Sequence, residues 1–324
     1  MIENEQMHLS FIIPHKGRFE MLIETIESIA LQQSPSFSYD VIVVSQTPEI
    51  KTCSLTEHQD LALSVFIRPQ HETISSLRNF GVTQAKGDFL AFLDADVYLS
   101  ANWAEQMLKE LKSQSDRIIV SAKQICAADA PSLEKIRTFL SNVEIDKNVA
   151  FLPGRNLFMR KDSFHQIGGF PEQLVTCEDY YFTDKAARLG KLYYTSSATY
   201  RHIGEDKEYK AMFDKEIWRG QSNIQSLSGR NVPLRELPSF FVPPAILMLL
   251  IIALILGIVG ITKLAMLALA LALLPIAVYS LRLLNIAKTE VSFAKIVLFY
   301  AVYFPARAIG TLVGVFKTIT IKQS

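Results

Sequence analysis

The sequence predicts an α/β domain, a mostly parallel sheet covered by helices, over residues 1–238, and a transmembrane helical region over residues 239–324. Three observations predict it. Short apolar runs alternate with segments of helical periodicity through the first part, as in strands joined by crossover helices. From Phe240 to Ser280 the only charged residue is Lys263, whereas a helix of a globular domain keeps a polar face. Charge is also divided: the chain has 33 Lys+Arg against 32 Asp+Glu, yet only one acid, Glu290, stands against seven basic residues after Phe240. Two parts in different solvents are implied. A hydrophobic content of 49% excludes intrinsic disorder. Three widely spaced cysteines (Cys53, Cys126, Cys177) exclude a disulfide scaffold and suit a reducing compartment. No patch is basic enough to expect a nucleic-acid partner.

Taken in order, Leu9–Ile13 is an apolar run ended by Pro14 and reads as a buried strand. Glu20–Gln32 places Leu22, Ile26 and Ile29 at helical spacing. Tyr39–Val44 and Leu61–Arg68 read as strands, Thr73–Lys86 as a helix, and Asp88–Leu93 as a fourth strand. Ala101–Lys112 is a helix and Arg117–Ala122 another strand. Tyr180, Tyr181 and Phe182 are expected to pack the domain, and Lys207–Lys215 to form a solvated helix.

In the second part, residues 242–261 and 264–283 each reach the roughly 20 apolar residues that span a bilayer. The short gap at Lys263 suits an antiparallel hairpin, with Pro243 and Pro244 at the first turn. Residues 293–316 are apolar but carry Pro305 and Arg307, and an arginine at mid-membrane costs at least about 2.5 kcal/mol. They read either as a third span with Arg307 paired or facing a cavity, or as two short interfacial helices. Arg230 and Arg235 precede the first span; Arg282, Lys288 and Lys295 follow the second; Lys263 alone lies beyond. The positive-inside rule then places residues 1–238 in the cytosol, at the cell's inner membrane. The start, MIENEQMHLS, is acidic and polar and is not a signal peptide.

In a parallel sheet, ligands bind beyond the carboxyl ends of the strands. The fourth strand, FLAFL, ends directly in Asp94-Ala95-Asp96. Two carboxylates there suit either a divalent cation with phosphate oxygens or a solvated turn. The surrounding RNFGVTQAKGDFLAFLDAD, together with the opening FIIPHKGRFEMLIETIESI, resembles family 2 glycosyltransferases of the GT-A fold. The resemblance continues through Pro153-Gly154-Arg155-Asn156, Ile167-Gly168-Gly169-Phe170-Pro171, Glu178-Asp179 and Arg188-Leu189-Gly190, covering about residues 8–225 in the family's order.

The resemblance implies roles. Asp94, Asp96 and His202 are to hold Mg²⁺ or Mn²⁺ on the diphosphate of a nucleotide-sugar. Pro14, His15, Ser45, Gln46, Arg78, Asp94, Ala95 and Asp96 are to line the nucleotide-sugar site. Asp179, following Glu178, is to be the catalytic base, with inversion at the anomeric carbon. Asn156 and Arg219 are assigned to the acceptor or phosphate region. Ser45 and Gln46 stand where the family usually has an acid at the nucleotide base, and His15-Lys16 departs from the usual residues after the proline. The Gln-x-x-Arg-Trp of processive synthases is absent; Trp218-Arg219-Gly220 differs from it, so one sugar per visit is expected. The implied partner is a lipid-linked, polyprenyl-type acceptor of surface-glycan synthesis. Transfer to polyprenyl phosphate itself and an inactive membrane scaffold are the alternatives.

Overall fold

The computed structural model describes residues 7–32, 34, 36–50, 61–222, 234 and 237–321. Cys53, Arg230 and Arg235, used above for redox state and orientation, lie outside the described residues. The chain divides into two compact units: Met1–Ile125 with Glu144–Gly204, and Cys126–Val143 with Glu205–Ser324.

The first unit is one sheet with helices on both faces. Strand β1 (Met7–His15) pairs in parallel with β2 (Phe37–Ser45) and with β4 (Phe89–Leu93), and β3 (Leu63–Ile67) extends the ladder from β2. The period-two alternation of strands divides these residues between two cores. Phe11, Ile13, Val41, Val43, Ala91 and Leu93 join one; Ile12, Ile42, Val44, Leu90 and Phe92 join the other. Helix α1 (Phe19–Ala30) covers the first with Leu22, Ile26 and Ile29. Helix α3 (Trp103–Ser113) adds Trp103, Met107 and Leu111 to the same core. The second core is covered by α2 (Ile74–Gln84), through Leu77 and Val82. Helices α5 (Lys161–Ile167) and α6 (Glu178–Ala187) complete it, with Phe164 and the expected Phe182.

The parallel arrangement expected from the sequence holds for β3, β2, β1 and β4; beyond them the sheet is mixed. From β4 the order runs to β8 (Asn156–Arg160), β6 (Arg117–Ile125), β9 (Lys191–His202) and β5 (Val97–Leu99), with β7 (Lys147–Val149) also on β9. Pairing is antiparallel for β4–β8, β6–β8, β5–β9 and β7–β9, and parallel for β6–β9. The link from Leu93 to Val97 is too short to cross the sheet as a helix. The chain runs straight on into β5, and its pairing sets Val97 opposite His202. Gly87 lets the chain re-enter against β1: a Cβ there would lie 2.6 Å from the His8 carbonyl oxygen, and the Gly87 N–H donates to Ser10 Oγ at 2.8 Å.

The second unit is helical. Among the described residues three helices are long and apolar enough to cross a bilayer: α8 (Leu237–Ile258), α9 (Thr262–Ala287) and α10 (Phe293–Ile321). Their apolar segments have mean hydropathies of 2.8, 2.4 and 1.7. Because α8 begins at Leu237, Pro238 occupies its first turn and Pro243 and Pro244 stand further in. The third apolar segment is one continuous helix, not two short ones. The reason it tolerates Arg307 is a partner: Arg307 Nη1 lies 3.3 Å from Glu216 Oε2 on α7 (Tyr209–Gly220).

Helix α7 covers most of the solvated helix expected over residues 207–215, where Lys207, Glu208, Lys210 and Asp214 are exposed, but it runs on past it and has a buried side. Met212, Glu216 and Gly220 are buried, and the two helices meet backbone to backbone. A Cβ on Gly220 would lie 2.8 Å from Gly310, and one on Gly314 would collide with the Gln221 backbone. Small residues permit this closeness between helices. Glu216 also receives Arg219 Nη1 at 2.7 Å and Arg137 Nη2 at 2.6 Å, from α4 (Ser132–Ser141). Burial raises the Glu216 pKa, but the guanidiniums of Arg137, Arg219 and Arg307 outweigh it and hold the carboxyl down at about 2.

Glu216→Gln removes one charge that three arginines share. Thermal unfolding of the full chain in detergent micelles is expected to show a loss of about 3–5 kcal/mol. Since the folded value lies below the ordinary 4.5, the wild-type stabilisation is complete above pH 4.5 and disappears as the pH falls toward 2. The variant's unfolding profile lacks that decline.

Candidate active site

The site is built where β4 ends, and Arg78 organises it. Arg78 lies on α2, whose start is capped by Thr73 Oγ1 accepting from the Ser76 N–H. Its side chain is 1% exposed. Nη2 donates to Asp94 Oδ1 at 2.9 Å and to the Gly154 carbonyl at 3.2 Å, and Nη1 donates to Glu178 Oε1 at 2.8 Å. The Phe170 ring lies 5.0 Å from the guanidinium carbon. Gly154 is required beside it, because a Cβ there would come 3.0 Å from Arg78 Nη2 and 3.2 Å from Asp179 Cβ.

Glu178 and Asp179 open α6, after Cys177 in the left-handed region (φ 64°). Asp179 Oδ2 accepts from the Gly154 N–H at 3.2 Å and Oδ1 from the Tyr180 N–H at 2.9 Å. Both carboxylate oxygens are thus oriented by backbone. Burial and the adjacent Asp179 push Glu178 up to about 7, against the pull of Arg78.

Asp96 and His202 form the second half of the site. Asp96 Oδ1 lies 3.3 Å from His202 Nε2, and both side chains are buried. The β5–β9 register produces this meeting, and the Ile203 N–H donates to the Asp96 carbonyl at 2.7 Å. Gly204 completes it, since a Cβ there would collide with Asp96 Oδ2. Two arginines flank the pair. Arg18, itself in the left-handed region (φ 49°), reaches Asp96 Oδ2 at 3.0 Å, and Arg155 reaches His202 Nδ1 at 3.1 Å. An arginine only donates, so in the neutral imidazole Nδ1 accepts and the proton sits on Nε2, toward Asp96.

The expected residues separate as follows. Asp94, Glu178 and Asp179 gather around Arg78; Asp96 gathers with His202. Among the described residues no group of three His, Cys, Asp or Glu side chains is placed to hold a metal ion. Asp94 is turned to Arg78 instead of joining Asp96 and His202. One carboxylate and one imidazole still fit a divalent cation whose other positions are filled by phosphate oxygens and water. Asp96 and His202 would hold such a cation in place of the Arg18 contact, with His202 Nε2 unprotonated.

The first strands supply the neighbouring edge. His15 is buried after Pro14, with Nδ1 2.9 Å from Ser45 Oγ. Burial lowers its pKa, and Arg18 adds to this against a hydrogen bond with the Gly17 backbone. The Gln46 amide donates to the carbonyls of Pro69 (2.9 Å) and Glu72 (2.8 Å), pinning the loop that leads to α2. Asn156 is fully buried and its Oδ1 accepts from the Ala122 N–H at 3.1 Å, which places it inside the sheet. Arg219 belongs to the second unit. Arg18 and Arg155 were missed from sequence, although both stand in quoted motifs; no spacing reveals that they flank Asp96 and His202.

Residues 10–168 match the family model described as Glycosyl transferase family 2. Glycosyltransferase AglE of Haloferax volcanii is 22% identical over 238 residues, 70% of this chain and 77% of that protein. The uncharacterized glycosyltransferase YwdF of Bacillus subtilis is 26% identical over 188 residues, 56% of this chain and 69% of that protein. Among solved structures, mannosyltransferase PcManGT from Pyrobaculum calidifontis, in complex with GDP-Man and Mn²⁺, superposes with a TM-score of 0.62 at 17% identity. That match covers 94% of this chain and 86% of PcManGT. Residues 10–168 are thus similar to family 2 glycosyltransferases, and the fold is the GT-A fold.

Arg78→Met keeps the bulk but removes the cation from Asp94 and Glu178. Denaturant unfolding is expected to show a loss of about 3–5 kcal/mol. Glu178 has its own signature: with a folded value near 7 above the ordinary 4.5, its contribution to stability is full below pH 4.5 and is lost as the pH rises through about 7. Glu178→Gln is expected to flatten that part of the stability profile, read from melting temperatures across the range.

Proposed function

We propose that this chain is a membrane-anchored, inverting glycosyltransferase that moves one sugar from a nucleotide-sugar to a lipid-linked acceptor in surface-glycan synthesis. The observation that carries the reading is Asp179: a carboxylate beside the end of β4, with each oxygen held by a backbone N–H. Such a group is oriented to take the proton of an acceptor hydroxyl as that oxygen attacks the anomeric carbon. The sugar–phosphate bond breaks on the opposite side and the nucleoside diphosphate leaves. A single displacement of this kind inverts the anomeric centre. Arg78 holds Asp94 and Glu178 in register with Asp179 across three chain segments.

A divalent cation held by Asp96 and His202, with Asp94 nearby, supplies Lewis-acid stabilisation of the leaving diphosphate. PcManGT, which shares the fold, is described with Mn²⁺ and GDP-Man. Arg18 is 59% exposed in its side chain and is free to swing from Asp96 to a phosphate. His15, Ser45 and Gln46 form the edge that meets the nucleotide base. Three helices able to cross a bilayer support confinement with a lipid acceptor, which raises the encounter rate. The basic residues Arg282, Lys288 and Lys295 support a cytoplasmic catalytic domain at the inner membrane.

Radiolabelled nucleotide-sugars incubated with the purified chain and membrane lipid extract test the reading. Asp179→Asn is expected to lower transfer about 10²–10⁴-fold while nucleotide binding, measured by calorimetry, persists. Failure of both together reassigns Asp179 to structure. Removing divalent ions with EDTA is expected to stop transfer, and Mn²⁺ or Mg²⁺ to restore it; Asp96→Asn weakens the restoration. Undiminished transfer in EDTA removes the metal from the mechanism.

A further inference from the structure

Helix α10 is long and apolar enough to cross a bilayer, but two of its neighbours are not. Helix α7 runs beside it in the same direction. The Tyr209 hydroxyl, at the start of α7, donates to the Lys295 carbonyl at 3.4 Å, and Glu216 meets Arg307 at 3.3 Å. Further on, Gly310 and Gly314 touch the backbone of Gly220 and Gln221. Helix α4 lies against α10 as well. Lys295 Nζ donates to Ser132 Oγ at 3.0 Å, and the Arg137 guanidinium stands over the rings of Phe299 and Tyr303 at 5.5 and 5.9 Å. One face of α10 is therefore lined by polar helices from Lys295 to Gly314. The opposite face is apolar and open: Leu298 and Leu312 are 48% and 44% exposed, and Ala301 is exposed between them.

Helix α7 is unsuited to hydrocarbon. It carries Lys210, Asp214, Lys215, Glu216 and Arg219 within its 12 residues. Lys210 and Asp214 are exposed, and no ion pair joins either to another described residue. If α10 crossed, Arg307 would lie roughly 21 Å below Phe293, past the middle of a core about 30 Å thick. It would draw α7 in with it, and exposed charges are excluded from that depth. Helix α9 supplies the level independently. Its residues 264–281, between Lys263 and Arg282, are uncharged and cover about 27 Å, close to one hydrocarbon core. Tyr279 thus stands at the headgroup end of that stretch, a place tyrosine favours. Its ring meets Tyr300 at 5.7 Å and Phe304 at 5.3 Å. The middle of α10 is held at the boundary, where a crossing helix would have its mid-bilayer residues.

We propose that α10 lies along the bilayer surface instead of crossing it, with the stripe of Leu298, Ala301 and Leu312 seated in the headgroup–acyl boundary. The partner of this face is the lipid surface itself. An ordinary interfacial helix carries its own charged face; here α7 and α4 supply it. The membrane region is then a hairpin of two spans, α8 and α9, and α10 ends on the side occupied by α7. In this arrangement α10 sets the depth of α7 and α4 at the bilayer, whatever sugar or acceptor the chain uses.

The full chain, expressed in bacterial cells, is labelled with a membrane-impermeant maleimide in intact cells and in inside-out vesicles. The modified peptide is identified by mass spectrometry, so the native cysteines stay in place. Lys210→Cys on α7 and Ile261→Cys in the turn between α8 and α9 mark the two sides. Ser324→Cys is expected to label at least tenfold more in the preparation that labels Lys210→Cys, and Ile261→Cys in the other. Labelling of Ser324→Cys together with Ile261→Cys makes α10 a span and overturns the proposal. Labelling of all three in one preparation removes the spanning hairpin and overturns it too. Depth is read separately in lipid nanodiscs. Ala301→Trp, which adds an indole to the open face, is expected to be quenched at least twofold more by phosphatidylcholine brominated near the headgroup than near the chain end, after the parent chain's signal is subtracted. The reverse order overturns the boundary position.

Discussion

A single buried guanidinium holds one half of the candidate site together. Arg78 comes from a helix, Asp94 from the end of a strand, Gly154 from the approach to another strand, and Glu178 from the start of a second helix. These segments are far apart in sequence. A charge in the interior is stable only when its counter-charges and hydrogen bonds are in place. The same demand that makes Arg78 costly to bury makes the position of Asp94 and Glu178 nearly unique. Asp179, whose carboxylate leans on the Gly154 N–H, inherits that precision.

The other half of the site is held differently. Asp96 and His202 meet through strand register, and two arginines occupy their outer atoms. Arg18 lies largely in solvent, where an ion pair is worth little. It leaves Asp96 at small cost, whereas Arg78 cannot leave Asp94. The two halves thus differ in rigidity: one is a fixed frame and the other has an exchangeable cation. That division suits the proposed reaction, in which a phosphate-bearing donor would arrive and depart while Asp179 stays in place.

The membrane-associated unit repeats the principle of a shared ion. Glu216 gathers arginines from three helices, as Arg78 gathers carboxylates from separate segments. Here it lets a helix of high mean hydropathy retain Arg307. Glycines at positions 220, 310 and 314 bring the two helices close enough for the bond to form.

Much of this was legible in the residues themselves. Apolar runs such as FLAFL specify strands whose residues are all buried, because a sheet covered on both faces has no polar side. Long uncharged stretches specify helices able to cross a membrane, because a helix satisfies its backbone hydrogen bonds within one segment without water. Asp94, Asp96, Glu178, Asp179 and His202 stood out by type and order. What the chain order cannot express is which atoms meet. That Asp94 turns to Arg78 while Asp96 turns to His202 depends on the β5–β9 register and on a burial that only the assembled sheet creates. Helix α7 shows the same limit: the mixed charges of residues 207–215 read as a solvated face and are one, but nothing in the sequence signals that the next residue, Glu216, is buried against arginines that lie before and after it in the chain. Local pattern determines which elements form, since propensity and hydrophobic period act over a few residues. The partners of buried charges are decided by tertiary structure, since only packing removes the water that would otherwise satisfy them.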